Sequence, residues 1–450
     1  MFTNLRLTNF CSFEHVELNL SNRNRSPKHL AMIFGENGAG KSNLVHAFQI
    51  LIELLRTMDV RDAYEELLSQ KAILNDEKME RQLRQMMLSD LRDMKAIIND
   101  CKMIGCDDPI RAEFDFQINN SSGTYSIELS DSEIIYESLE YVLNKRRGTY
   151  FECRPGKITI NHSIIMDKDF LSDIRSSCKR FWGKHTVLSI VLYELRDKPR
   201  VYGWNNLSEN FKHVLSFFCS LSFHSHLSIN YVNKPDNNLK LFPLRNAKEG
   251  FIPTDHEPHL DQMSRIITHF FHAINSNIQR AYYEKEISGK QIKYQLYFEK
   301  NIAGKTRSIP FNRESTGNQQ LLRVLCASLS ACTGDIVIID EADAGIHDVL
   351  FQKIIEELSP AIQGQLIITS HNTMLLETSC AREAVYIINE NGTSTEVKRI
   401  SEYENRTYIN NNIRNKYLNN DYKGIPTVSP IDFNKLLAAI FHLRFSASIS

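Results

Sequence analysis

The chain has 450 residues, 42% of them hydrophobic and 24% charged, with a formal net charge of −1. This is an ordinary globular composition, long enough for two or three domains, and it gives no global pull toward nucleic acid or a membrane. The nine cysteines (11, 101, 106, 153, 178, 219, 326, 332 and 380) are scattered without a CxxC pair, which argues against structural zinc and against a disulfide scaffold.

The amino terminus lacks the basic-then-apolar shape of a signal peptide, and no apolar run approaches the ~18 residues of a membrane helix, so a cytoplasmic protein without membrane contact is expected. Residues 2–10 and 15–20 alternate apolar and polar side chains, which predicts two strands of a hairpin turning at Cys11–Glu14. A short apolar run, His29 to Phe34, then enters Gly35-Glu36-Asn37-Gly38-Ala39-Gly40-Lys41-Ser42, a complete phosphate-binding loop, and the chain continues as a helix. In that context the loop has a mechanism. Gly35, Gly38 and Gly40 free the backbone N–H groups to surround phosphates, and the helix adds its positive end. Lys41 reaches the β- and γ-phosphates, and Ser42 holds Mg²⁺. This predicts a nucleotide site.

Beyond the loop, Leu44, Phe48, Leu51, Leu55 and Met58 keep one apolar stripe. Residues 60–104 are charged and contain no glycine, with Leu83, Met87, Leu91, Met94 and Ile98 at helical spacing, and predict a helical hairpin turning near Leu74–Asp76 with a solvated face. An antiparallel meander follows. Phe114, Phe116 and Ile118 alternate, as do Tyr125, Ile127 and Leu129, across a turn at Asn119–Gly123. Further strands are predicted over Glu133–Leu143 and Thr149–Ile160, with the basic Lys145-Arg146-Arg147 at the tip between them. Residues 162–285 predict helices at 169–181, 185–196, 208–222 and 258–284, and loops at Pro235–Asn238 and Asn246–Gly250. His224 and His226 lack the spacing of a helical metal pair and read as structural. Ile292–Phe298 and Thr306–Phe311 form a hairpin.

The second decisive stretch is Asp335-Ile336-Val337-Ile338-Ile339-Asp340-Glu341, a buried strand ending in two carboxylates. After a phosphate loop, Asp340 supports the Mg²⁺ shell, and Glu341 is placed to polarise the attacking water. Upstream, Glu314-Ser315-Thr316-Gly317-Asn318-Gln319-Gln320 opens an apolar helix; by itself this is an N-cap, yet it is also able to present hydroxyl, N–H groups and dipole to a phosphate. Downstream, Gln365–Ser370 is a strand that ends at His371.

Together these residues resemble the ABC-type ATPase head shared by RecF, Rad50 and SMC proteins, which often begin with a strand ending in Asn-Phe, as Asn9-Phe10 does here. The resemblance implies an α/β fold, an ABC-type P-loop ATPase head with a mixed sheet plus an antiparallel β meander, an inserted helical hairpin and a helical lobe. It implies ATP and Mg²⁺ as ligands, Ser315–Gln319 as a signature segment acting through Ser315, Gly317 and Gln319 on the γ-phosphate of an opposite subunit, Asp343 in the loop linking two heads, and His371 as a switch histidine. The signature departs from the usual Leu-Ser-Gly-Gly-Gln form at Thr316 and Asn318, which bears on hydrolysis rate more than on ATP binding. Gln49 comes too early for a glutamine-loop residue.

The run Asp340–His347 is closer to bacterial overcoming-lysogenization and abortive-infection ATPases than to transporters. Asn412–Pro426 resembles a segment ending the AAA15-type ATPases of phage-defence operons, which often has glycines where Asn420 and Lys423 stand. On this likeness the chain divides into lobe I (1–50 and 105–160), an inserted hairpin (51–104), a helical insertion or lid (161–289), lobe II (290–400) and a tail with a docking helix (401–450). The nearest type suggested is the ATPase subunit of a PARIS-type or related system. That implies a head-to-head homodimer, with higher assembly such as a hexamer allowed, a separate toxic effector, often a Toprim-like nuclease, and a phage-encoded trigger. An intrinsic nuclease is not expected, since the residues after His371 contain no strand ending in Glu followed by Asp-x-Asp. Ile431–Phe445 predicts an amphipathic docking helix with Phe433, Leu436, Leu437, Ile440 and Leu443 apolar. The alternative is a DNA-repair ATPase of RecF or Rad50 type with ATP-gated DNA binding, which would lose affinity steeply with salt.

Overall fold

The computed structural model describes residues 1–71, 92–197, 200–225, 228–232, 246–275, 277–391, 394–403, 412–425 and 431–446. The expected hairpin turn at Leu74–Asp76, the positions Leu83, Met87 and Leu91, His226 and the Pro235–Asn238 loop lie outside them.

The opening hairpin forms as the alternation requires, with β1 (Phe2–Phe10) antiparallel to β2 (Phe13–Asn19) and Leu5, Leu7, Val16 and Leu18 buried. The strand β3 (Leu30–Phe34) is buried throughout and leads through the loop into α1 (Lys41–Leu55). Next come α2 (Thr57–Lys71), α3 (Met94–Cys101) and the meander β4 (Ile110–Ile118), β5 (Ser121–Leu129), β6 (Ile134–Leu143), β7 (Arg146–Arg154) and β8 (Lys157–Ile160). The turn between β4 and β5 is only Asn119-Asn120, both at positive φ (49° and 62°), as a two-residue hairpin of the right twist demands. Thr149–Ile160, expected as one strand, is broken at Pro155-Gly156, where glycine takes φ 77°. Arg146 and Arg147 belong to β7 itself, and Arg147 is bound to Glu140 and Thr124.

The second half continues with α4 (Lys168–Phe181), α5 (Val187–Asp197), α6 (Glu209–Cys219), β9 (Leu221–His224), β10 (Ile229–Tyr231), β11 (Glu249–Pro253), α7 (Glu257–Ile274), β12 (Ile278–Ser288), β13 (Gln291–Ile302) and β14 (Lys305–Pro310). Then follow α8 (Thr316–Cys332), β15 (Ile336–Ile339), α9 (Asp348–Leu358), β16 (Gln365–Thr369), β17 (Val385–Asn391), β18 (Ser394–Arg399), α10 (Ile413–Leu418) and α11 (Phe433–Ser446). Two expected helices overran. The helix over 208–222 stops at Cys219, because Leu221–His224 pairs in parallel with β15. The helix over 258–284 stops at Ile274, and from Ile278 the chain pairs antiparallel with β13. The stretch 161–289, read as helical, thus supplies strands to two sheets.

Three sheets result. The meander sheet runs β2-β1-β4-β5-β6-β7-β8 and is antiparallel throughout. The central sheet runs β10-β9-β15-β16-β3-β17-β18, parallel except for its two edge strands. In the third, β13 carries β12 on one side and β11 and β14 on the other. The central strands are apolar on both faces, as parallel strands covered from two sides must be. Ala31, Ile33, Ile336, Ile338 and Ile367 join one hydrophobic cluster with α1 and the meander. Leu30, Met32, Phe34, Val337, Ile339 and Ile368 join the other with α7 and α8. This is the mixed α/β architecture, meander included, of an ABC-type ATPase head.

One buried side chain ties meander to central sheet. Gln365, fully buried, accepts from the Phe2 N–H at 2.8 Å and donates to the oxygens of Phe2 and Lys28, each at 2.9 Å. Gln365→Leu leaves those three backbone groups without a side-chain partner, at roughly 1–3 kcal/mol per orphaned buried group. The expected result is a loss of about 3 kcal/mol in urea unfolding, and an unchanged midpoint would refute the tie.

Candidate functional site

The order β9-β15-β16-β3 sets four parallel strands side by side, and ligands of open parallel sheets sit at the carboxyl ends of such strands. Here those ends deliver His224, Asp340, His371 and the loop Gly35–Ser42. The chemistry is gathered by strand order.

The loop is shaped by close approach. Gly40 has φ 92° and caps α1, and a β-carbon there would stand 2.6 Å from the ring of Phe13 at the tip of the opening hairpin. A β-carbon on Gly35 would meet the Ile388 backbone oxygen at 2.7 Å, whereas Gly38 faces open space at φ 89°. Asn37 is exposed in the turn. Asn43, in the first turn of α1, donates to the Ser12 hydroxyl. Lys41 is buried and donates from Nζ to the oxygens of Gly35 and Glu36, both at 2.8 Å. Burial lowers its pKa from the ordinary value, opposed by the negative charges of Asp340, Glu341, Glu36 and Asp343.

Those acids come from the turn after β15. Asp340 Oδ1 accepts from the Thr369 hydroxyl at 2.6 Å and from Ser42 Oγ at 3.3 Å. The Thr369 hydroxyl in turn accepts the Glu341 N–H at 2.8 Å. Glu341 is exposed and takes φ 49°, a left-handed conformation costing an ordinary residue roughly 1–2 kcal/mol. Such strain persists where surrounding bonds over-determine it, and it gathers at functional sites. Asp343 accepts the His371 N–H at 3.3 Å. Burial and the charge of Lys41 lower the His371 pKa, against Asp343, Glu341 and Asp340, so the imidazole is neutral at pH 7. Ser42, Lys41, Asp340, Glu341, Asp343 and His371 therefore form one cluster.

The residues present fit a nucleoside triphosphate with Mg²⁺. A buried ammonium whose bonds, among the described residues, go to two carbonyls of its own loop is free to turn onto phosphate oxygens. Ser42 and Asp340, already in contact, are the oxygen donors that a hard divalent cation takes. The metal would neutralise charge developing on the transferred phosphoryl group.

Ser315, Gly317 and Gln319 stand apart. Ser315 caps α8, its hydroxyl accepting the Asn318 N–H at 3.3 Å, while Ser315 and Thr316 are exposed. Gln319 donates back to the Glu314 oxygen at 3.0 Å. Among the described residues no hydrogen bond joins 315–319 to the loop 35–42. Sequence reasoning missed Thr369, which locks the acid turn, Gln320, which bonds the same turn from α8, and Phe13, which backs Gly40. Only Thr369 carried a signal, as the polar residue closing an apolar strand two places before His371. Gln49 donates to Glu53 within α1. His224 bonds Ser222, and its backbone oxygen accepts the Asp340 N–H.

The tail packs beside the loop strand. The Tyr417 ring of α10 lies 6.0 Å from that of Phe34, and Asn389 donates to the Tyr422 oxygen. Asn420 and Lys423 take φ 63° and 56°, the conformation that glycine adopts without strain.

Two family models match the chain. Residues 4–152 match one described as an AAA domain, and residues 217–377 match one described as "AAA domain, putative AbiEii toxin, Type IV TA system". No curated protein matches. Similar solved structures include the SMC head domain from Thermotoga maritima, with 15% identity, TM-score 0.36, and coverage of 88% of this chain and 98% of that one. A second is an SMC head bound to the C-terminal winged-helix domain of ScpA, at 13% identity and TM-score 0.42, covering 90% and 99%. A third is an SMC head with an extended coiled coil bound to the C-terminal domain of ScpA derived from Pyrococcus furiosus, at 14% and 0.41, covering 89% and 97%. The two family matches between them take in the loop, the acid turn and His371. The chain has the fold of an ABC-type ATPase head, and two of its segments are similar to AAA domains of those descriptions. Among the described residues no helix is long and apolar enough to cross a membrane.

Gly40→Ala combines a left-handed backbone with a clash on Phe13. Affinity for a fluorescent ATP analogue is expected to fall at least tenfold, and affinity within twofold of the unmodified chain would contradict this account of the loop.

Proposed function

We propose that the chain is an ABC-type ATPase that binds ATP, closes head to head on a second copy, hydrolyses slowly, and acts as scaffold and sensor in anti-phage defence. The observation that carries the reading is the split in its machinery. Lys41, Ser42, Asp340, Glu341 and His371 are gathered at one place, while Ser315 and Thr316 are exposed and, among the described residues, no hydrogen bond joins the turn 315–317 to the loop. A second copy would bring its Ser315 hydroxyl and its Gly317 N–H to the γ-phosphate held by Lys41, so that each triphosphate lies between two chains. Asp343, in the turn that carries Glu341, would lie at the same seam.

Within that site the roles follow from position. Lys41 holds the β- and γ-phosphates, and Ser42 with Asp340 holds Mg²⁺, which supplies charge neutralisation. Glu341 takes the proton of the attacking water as its oxygen bonds to the γ-phosphorus and ADP departs. His371, neutral and tied to Asp343 through its N–H, reports on the γ-phosphate.

The defence setting draws support from the match over 217–377, whose description names a putative toxin of a type IV toxin–antitoxin system. It also draws on the tail, where the two positions that carry glycine in phage-defence ATPases are here in left-handed conformation. The work under control belongs to a separate effector, a Toprim-like nuclease, held until a phage protein is sensed. The docking element is α11, whose Phe433, Leu436, Leu437 and Ile440 are exposed.

Lys41→Ala is expected to abolish ATP binding and protection in a phage challenge, and full protection by this variant would exclude a nucleotide-driven function. Glu341→Gln is expected to trap ATP and raise the mass of the assembly in native mass measurement. Affinity purification from the native host separates the settings: a co-purifying nuclease supports defence, whereas DNA alone supports a repair ATPase.

A further inference from the structure

A cavity of about 380 Å³ lies among α8, β10 and the segment that leads into β11. One wall is firmly built. The segment 246–248 is pinned to the third sheet at all three of its carbonyls. Those of Asn246 and Ala247 accept the Tyr294 and Tyr283 hydroxyls at 2.7 and 2.8 Å, and that of Lys248 accepts the Leu296 N–H at 2.8 Å. From α8 come the buried Leu322 and Cys326, which with Ala247 make part of the lining apolar.

Arg323, also from α8, lines the same cavity. Its Nε and Nη2 are buried and, among the described residues, have no hydrogen-bond partner. Burial lowers its pKa from the ordinary value, and the charges of Asp340 and Glu341 oppose that shift. Among the described residues no hydrogen bond joins it to either acid. The two unpartnered atoms share one edge of the guanidinium plane. That edge carries the parallel pair of N–H groups that grips a carboxylate or a phosphate with two bonds. A buried cationic donor pair is costly until an anion meets it. Two further charged groups line the cavity, the exposed Lys248, whose Nζ lies 3.5 Å from Gln319 Oε1, and the exposed Glu249.

We propose that this cavity is a binding site for a small organic monoanion, its oxyanion paired with the Nε–Nη2 edge of Arg323 and its apolar body lying on Ala247, Leu322 and Cys326. A turn about the last bonds of the arginine side chain brings that edge to the cavity. The volume falls in the range of small-molecule sites, which combine apolar walls with a few placed polar groups. Two cations against one carboxylate leave a single positive charge, which matches one negative charge on the ligand. A carboxylate and a phosphodiester both meet these terms. The site is separate from the phosphate loop, so its failure would leave the nucleotide reading standing.

The test titrates the full chain with benzoate and, separately, with methyl phenyl phosphate, followed by ligand-observed NMR. At least one probe is expected to bind saturably at about 10 mM or tighter, and which one binds better tells a carboxylate ligand from a phosphodiester. Arg323→Gln is expected to weaken that probe at least tenfold while the fluorescent ATP analogue binds within twofold of the unmodified chain. Lys248→Gln is expected to weaken it at least twofold and Glu249→Gln to tighten it at least twofold. These two exposed positions decide the matter if Arg323→Gln does not fold, since lost packing would not move them in opposite directions. Saturable binding of neither probe, equal binding by Arg323→Gln, or shifts of the same sign at Lys248 and Glu249 would each overturn the proposal.

Discussion

The strand β16 lies between β15 and β3, and its parallel register with both is the constraint from which the site follows. Ile336 to Ile339 pair with Gln365 to Ile368, and Leu366 to Thr369 pair with Leu30 to Ile33. Because all three strands run the same way, their carboxyl ends finish together, and Asp340, His371 and Gly35 emerge at one edge. The strand also closes the gap chemically, since its last residue, Thr369, bonds both Asp340 and the backbone of Glu341. At its first residue, Gln365 bonds Phe2 and Lys28. The hairpin that starts at Phe2 is the one whose Phe13 backs Gly40, so a single strand fixes the acid turn at one end and locates the loop's support at the other.

Electrostatics then separate the resting site from a loaded one. Lys41 has two carbonyl partners and four carboxylates in its field, which oppose the downward pull of burial on its pKa. A buried cation paired only at a distance is costly unless a strong partner arrives. Phosphate oxygens are that partner. The same acids that steady Lys41 would repel an anion, and a divalent cation held by Asp340 and Ser42 would offset that repulsion.

What the sequence could reveal depended on how local each cause was. The loop was legible because glycines, lysine and serine act within eight consecutive residues, and Asp340-Glu341 because a buried strand ends there. Leu221 and Ser222 were misread because the helix-like run after α6 becomes a strand only by pairing with β15, over a hundred residues away. Residues 278–284 were misread although their partner β13 lies just across a turn, because no glycine or proline between Ile274 and Ser288 marks the end of the helix. Thr149–Ile160 was a local failure, since Pro155-Gly156 is a turn signal in plain view. Thr369 and Gln320 act through bonds to backbone, which leave no periodicity behind. Asn420 and Lys423 show the reverse case: a likeness noted only as missing glycines corresponds to two left-handed residues, the first a type that tolerates that conformation and the second one that bears its strain.

The tail connects this chemistry to the outside of the molecule. Tyr417 packs on Phe34, the last residue before the loop, and its hydroxyl donates to the Gly424 oxygen at 3.0 Å. A β-carbon on Gly424 would press on the Tyr417 ring at 2.8 Å and on Ile387 at 3.0 Å, so the segment closes tightly over the edge formed by β3 and β17. Any shift of the loop on binding a triphosphate is therefore felt by α10 through close-packed side chains, which transmit displacement rather than absorb it. Beyond α10 the chain reaches α11, whose apolar residues are exposed. An exposed stripe of Phe433, Leu436, Leu437 and Ile440, at one helical face, loses free energy to water until something covers it. That exposed stripe follows, along the chain, the segment that packs on the strand leading into the phosphate loop.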